Sequence, residues 1–306
     1  MERTAVITGG TGGIGQHTAI GLARAGYQVL VIGRDAQRGE AARRVIVEAS
    51  GNQQVEVLLA DMADLGQVHD LADEVARRLD HLDVLVNNAG AINHDNTVTT
   101  DGIELAFAVN VVAPHQLTVA LRPLLRAADR GRVVNVTGGS PRSRLRTDKL
   151  NDPSRAAGLK GYSNAKRALE AVSLHLADEL SDDGTSVAVV YPGGASTAMT
   201  GRMTAADFPF PMSLLAPLVK RFMVRDDDGR SAARAARSSI AAAMSPDLTT
   251  ESPTYLKPST KQGTFPSSVT DPDVQQQVIA LVRAAIETAT ANPHRAGPAG
   301  PSTASQ

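Results

Sequence analysis

The chain has 306 residues, 42% of them hydrophobic, enough to close one large core. Its formal net charge of −1 provides no basic field for nucleic acid or anionic lipid, and the lack of cysteine excludes disulfides, thiolate nucleophiles and thiolate zinc sites. No apolar stretch approaches the ~20 residues of a membrane span, and no charged and apolar leader precedes the first strand-like run, so a cytoplasmic protein is expected.

Short runs rich in Val, Ile and Leu alternate with longer helical patterns as far as Tyr191. The runs Ala5–Thr8, Gln28–Gly33, Val55–Ala60, Val84–Asn87, Arg132–Thr137 and Ser186–Tyr191 are nearly continuous in apolar character, as strands buried on both faces of a parallel sheet are. Between them the spacing predicts helices over Ile14–Ala25, Ala36–Ala49, Leu65–Leu79, Asp101–Arg126 and Gly161–Leu180. Beyond Pro192 the pattern loosens into a segment, 194–230, expected to be a flexible lid with small helices over the mouth of the sheet. A helix over Ser231–Ala243, a short strand at Tyr255-Leu256 and a helix over Gln275–Thr288 follow, then a Pro-, Gly-, Ala- and Ser-rich tail, 292–306, expected to be disordered. The alternation implies a single α/β domain over residues 1–291, doubly wound on a mostly parallel, seven-stranded sheet.

The first strand runs into Thr8-Gly9-Gly10-Thr11-Gly12-Gly13-Ile14-Gly15, and a helix follows at once. A pyrophosphate needs backbone N–H groups to approach closely and the positive end of a helix behind them, and glycines remove the Cβ atoms that would block the approach. The second strand ends Gly33-Arg34-Asp35, where an acid would accept from the adenosine ribose. Arg34 instead suits a 2′-phosphate, with Arg38 one turn on, which favours NADP(H). The competing reading has Arg34 facing solvent and Asp35 capping the next helix.

Taken in order, these motifs resemble the short-chain dehydrogenase/reductase family over residues 3–200. Thr8-Gly9 to Ile14-Gly15 matches its TGxxxGxG turn, and Asp61, with Met62 beside it, matches the acid that contacts the adenine amino group. Asn87-Asn88-Ala89-Gly90 matches NNAG, Asn110 the helix asparagine, Tyr162–Lys166 the YxxxK pair, and Pro192-Gly193 with Thr197 the PGxxxT turn. Gly33-Arg34-Asp35 and the long interval before Tyr162 are more similar to retinol-dehydrogenase-like enzymes and carbonyl reductases. The resemblance implies a Rossmann fold and Tyr162 as acid/base. It gives Lys166 the tasks of lowering the phenol pKa and holding the nicotinamide ribose, and has Asn110 hold a water. It also implies a homodimer paired through the fourth and fifth long helices. The family's substrate-binding serine is where the sequence departs: Asn135-Val136-Thr137-Gly138-Gly139-Ser140 puts Gly138 at that position. Ser140 is the expected replacement; Thr137, or no hydroxyl at all, is the alternative.

The expected function is NADP(H)-dependent reduction of a ketone or aldehyde, or the reverse, on a small substrate of apolar or aromatic character. A non-catalytic NADP-binding regulator, or an epimerase or dehydratase on the same scaffold, competes with it. Met199, Met203, Phe208, Phe210 and Met212 either line an apolar pocket or pack a short helix. His94 and His115 either border the substrate or sit on a helix or loop surface, and the seven histidines show no metal-ligand spacing. Arg142, Arg144 and Arg146 read as a solvated loop before an anion site, and Asp226-Asp227-Asp228 as a solvated turn.

Overall fold

A computed structural model of the chain describes residues 2–138, 143–194, 201, 204, 207, 229–246, 252–258 and 260–291. Ser140, Arg142, Thr197, the group Met199, Met203, Phe208, Phe210 and Met212, the run Asp226-Asp227-Asp228 and the tail 292–306 lie outside the described residues.

Seven strands form one sheet: β1 (Thr4–Thr8), β2 (Gln28–Gly33), β3 (Val55–Leu59), β4 (Val84–Asn87), β5 (Arg132–Val136), β6 (Ser186–Val190) and β7 (Thr254–Leu256). Their order is β3-β2-β1-β4-β5-β6-β7 and every pair is parallel. Every residue of β1, β4, β5 and β6 is buried, which is why those runs carry no polar alternation. The chain winds outward from β1 to β3, then returns to β4 and winds the other way. The reversal opens a crevice at the carboxyl ends of β1 and β4.

Helices α1 (Gly13–Arg24) and α2 (Ala36–Ser50) follow β1 and β2, and α3 (Leu65–Arg78) follows β3. The helix expected over Asp101–Arg126 is broken into α4 (Leu105–Phe107), a π-helical turn (Ala108–Val112), α5 (Ala113–Ala120) and α6 (Arg122–Ala127). Pro114 and Pro123 explain the breaks, since each lacks the N–H that would bond four residues back. The wide π turn carries Asn110 just ahead of Pro114.

Among the described residues the remaining α-helices are α7 (Gly158–Leu180), α8 (Arg230–Met244) and α9 (Pro272–Ala291). Side chains of α1, α2 and α8 build the core on one face of the sheet, and those of α3, α5, α7 and α9 the core on the other. Helix α7 is buried all round from Gly161 to Ser173, and α9 lays Val278, Ile279, Val282, Ala285 and Ala289 into the core on one side of it. Among the described residues no helix is long and apolar enough to cross a membrane, and no cluster of His, Asp and Glu is placed to hold a metal ion.

Candidate active site

The turn leaving β1 and the turn leaving β4 are stitched together at the carboxyl edge. The backbone N–H groups of Asn88 and Ala89 both donate to Thr8 Oγ1 at 3.1 Å, and Asn88 Nδ2 donates to the carbonyls of Thr8 and Gly9 at 3.0 and 3.1 Å. A Cβ on Gly15 would lie 2.4 Å from both Asn88 Nδ2 and Gly9 O, so α1 reaches this close to the turn only with glycine there. Gly12 caps α1 with extended backbone; no side chain caps the helix and its first turn holds no acid. A Cβ on Gly12 would meet nothing within 4 Å. The positive end of α1, at Gly13 and Ile14, thus opens on a cradle that no acid of its own first turn neutralises, which fits a pyrophosphate.

At the end of β2, a Cβ on Gly33 would stand 2.4 Å from Thr11 Cγ2. The Thr11 side chain occupies the place an acid would need. Arg34 is exposed, with its guanidinium 3.8 Å from the Asp61 carboxylate beyond β3. Asp35 caps α2 by accepting from the Arg38 N–H at 2.7 Å. Arg34 therefore does face solvent and Asp35 is a cap; the guanidinium is paired only loosely with Asp61, at the rim of the crevice beside a β2 end that carries glycine rather than an acid. The Met62 side chain lies in the core beneath this edge.

From the cradle a line of contacts runs along the edge to Tyr162. A Cβ on Gly9 would sit 3.0 Å from Ala89 Cα, and one on Gly90 would sit 3.0 Å from Asn110 Oδ1 and 3.6 Å from Lys166 Nζ. Asn110 is fully buried and donates from Nδ2 to the carbonyls of Ala91 and Ala106 at 2.8 Å. Lys166 donates to Val136 O at 2.9 Å, and its nitrogen stands 5.8 Å from the centre of the Tyr162 ring. The Tyr162 hydroxyl lies against Gly138, only 2.8 Å from where a Cβ would be. The loop before α7 is held to it by Asn164, whose side chain accepts from Arg146 N at 2.8 Å and donates to Arg146 O at 2.9 Å.

Burial dominates the titration of this pair. It pushes the Tyr162 hydroxyl well above its ordinary value, with Tyr191 acting in the same direction. It pulls the Lys166 ammonium down to about 7, while the Glu170 carboxylate opposes it. In the protein itself burial therefore outweighs any lowering of the phenol pKa by Lys166, whose ammonium donates to Val136 O.

The family model for short chain dehydrogenases matches residues 3–207. The chain belongs to the short-chain dehydrogenase/reductase family. Human retinol dehydrogenase 13 (Homo sapiens) is 31% identical over 204 residues, 66% of this chain and 61% of that protein, so the chain spans under two thirds of that relative. An uncharacterized protein of Mycobacterium Paratuberculosis has a solved structure 25% identical, with a TM-score of 0.66 over 93% of both chains. A Pseudomonas aeruginosa structure described as an RhlG/NADP active-site complex is 28% identical, with a TM-score of 0.61 over 83% of this chain and 94% of that one.

Against the family pattern the serine position is the main departure. Gly138 does occupy it, beside Tyr162. Thr137 is not available as a substitute, since its buried hydroxyl bonds Glu170 Oε1 at 2.8 Å and Lys166 O at 3.2 Å. Pro192 and Gly193 are in place after β6, with Gly193 at φ 77° against Pro258. His115 does not border this crevice: it is buried toward His175, Glu179 and Arg283, and burial pulls its imidazole down to about 4. His94 meets Asp207 at 2.5 Å. Arg146 pairs with Asp148, which Arg155 also approaches, so this charge is matched within the loop. A buried ion pair behind Lys166, Arg167 with Glu170, escaped the sequence reading. Its one signal was an Arg and a Glu three apart on a helix otherwise committed to the core.

Proposed function

We propose that this protein reduces a ketone or aldehyde with NADPH, or oxidises the corresponding alcohol with NADP. The observation that carries the reading is the Tyr162 hydroxyl against Gly138, linked through Lys166 and Gly90 to the glycine cradle. Gly9, Thr11–Gly15, Asn88–Gly90, Arg34, Asp61, Lys166 and Pro192-Gly193 are the residues that would hold the dinucleotide, and NADPH, when bound, supplies the hydride. The chain's own task is the proton. A carbonyl that gains hydride develops negative charge on oxygen, and an acid within hydrogen-bond reach must meet it. Burial keeps Tyr162 in the protonated state that a donor requires, and a charged Lys166 stabilises the phenolate left behind. Ser140 is the proposed hydroxyl contact to the substrate oxygen. The likeness to retinol dehydrogenase 13 supports an apolar substrate and the retinol-dehydrogenase-like subgroup, and we place the reaction in the cytoplasm.

NADPH oxidation against aromatic, polyketide-like and small aliphatic carbonyls tests the reading. Tyr162→Phe should lose roughly 10²–10⁴-fold in rate; equal rates in variant and parent would remove the proposed acid. Arg34→Glu should weaken NADPH far more than NADH, and an unchanged preference would refute the coenzyme assignment. Gly138 favours a second reading, a nucleotide-binding protein without turnover. That reading gains if the parent binds NADPH yet reduces nothing in the panel.

A further inference from the structure

Lys166, Arg167 and Glu170 are all buried, at 2%, 3% and 0% exposure. Arg167 Nη1 meets Glu170 Oε2 at 2.6 Å, and Arg167 Nε donates to Ser143 Oγ at 3.3 Å. The other carboxylate oxygen accepts from Thr137 at 2.8 Å. Tyr191, beyond β6, and Tyr255, on β7, face the same charges, and Arg167 also hydrogen-bonds Tyr255. A buried ion pair is poor at stabilising a fold, and apolar residues of the same volume commonly do as well or better. Packing alone therefore does not account for this one.

Its position does. Three successive residues at the end of β5 are each fastened to α7: Val136 O accepts from Lys166, Thr137 is held by Glu170 and the Lys166 carbonyl, and Gly138 lies against Tyr162. Lys166 is a buried cation with one hydrogen bond to a carbonyl, an arrangement that favours the neutral amine. Glu170, one helical turn on, is the acid that opposes this. We propose that Glu170, locked by Thr137 and Arg167, is a positioning residue that supplies the counter-charge of Lys166 and seats the β5 end against which the Tyr162 hydroxyl rests. The inference rests on the proposed use of Lys166 as a cation, but its first test does not need turnover.

The test is the NMR titration of the Lys166 amine in ¹⁵N-lysine-labelled protein, its signal assigned by loss in Lys166→Met. Glu170→Gln should move the Lys166 midpoint down by on the order of one pH unit, and Glu170→Asp, which keeps the charge, should restore most of it. The alkaline fall in carbonyl reduction should move to lower pH in step. Should Glu170→Gln fail to fold, with Arg167 left unpaired, the double variant Arg167→Met/Glu170→Met replaces the pair by apolar volume and should still lower the midpoint. An unchanged Lys166 midpoint in whichever of the two folds overturns the proposal. A shifted midpoint in a protein that reduces no carbonyl would leave it standing and sink the proposed reaction instead.

Discussion

At the scale of single residues, Gly138 controls where the phenol sits. An alanine methyl there would arrive 2.8 Å from the Tyr162 hydroxyl, inside van der Waals contact, so either the ring or the β5 end must shift. Displacements of about 1 Å at a reacting group can cost ~10²-fold. Gly138→Ala should therefore lower NADPH-dependent turnover by roughly 10–100-fold with little change in NADPH affinity. Gly138→Ser should not raise it, although it restores the family's residue; a gain in rate would show that the hydroxyl has room. The glycine turn was legible in the sequence because it meets a local need, close backbone approach to a pyrophosphate; NNAG, Asn110 and the Tyr-Lys pair were marked only by the family resemblance and by their order along the chain. Arg167 and Glu170 were not. A charged pair three apart on a helix reads as a solvated face, and only the packing of β5 against α7 makes it interior.

At the scale of elements, strands and most helices followed from apolar period, and the failures have backbone causes. Pro114 and Pro123 were readable, whereas the bond from the Asn110 side chain to the Ala91 carbonyl, which ties the wide turn to the segment after NNAG, was not. Helix α9 was expected, but what it covers was not. Val282 is fully buried against the core that α7 shares, so Val282→Ala should cost about 2 kcal/mol in urea denaturation. A loss below about 0.5 kcal/mol would mean that α9 is not docked as described. The homodimer expected through the fourth and fifth long helices meets the same fact. From Gly161 to Ser173 α7 is buried within its own chain, so the proposed pairing would draw on exposed positions elsewhere on these helices, such as Val119 on α5.

At the scale of the whole molecule, Lys166 links stability to pH. Its amine titrates at about 7 in the folded protein, against ~10.4 in an unfolded chain. Between those values the unfolded state binds a proton that the folded state does not, so this group's contribution to stability rises with pH across the window. Below 7 its burial penalty is full, and each pH unit between the two values corresponds to about 1.4 kcal/mol. Lys166→Met should accordingly melt at a higher temperature than the parent at pH 6.5, with the advantage shrinking toward pH 10. An advantage that grows with pH would show that the amine is not desolvated. The fold as a whole was the easiest level to read, because buried parallel strands leave an unbroken apolar signature that no side-chain detail can disguise.

The contact between Thr11 and Gly33 constrains how coenzyme choice can change. Introducing an aspartate at 33 to select NAD collides with the threonine methyl, while trimming the threonine first gains nothing by itself. The two positions are epistatic: Gly33→Asp becomes accessible only once Thr11 has been trimmed, so the order of the two changes is fixed.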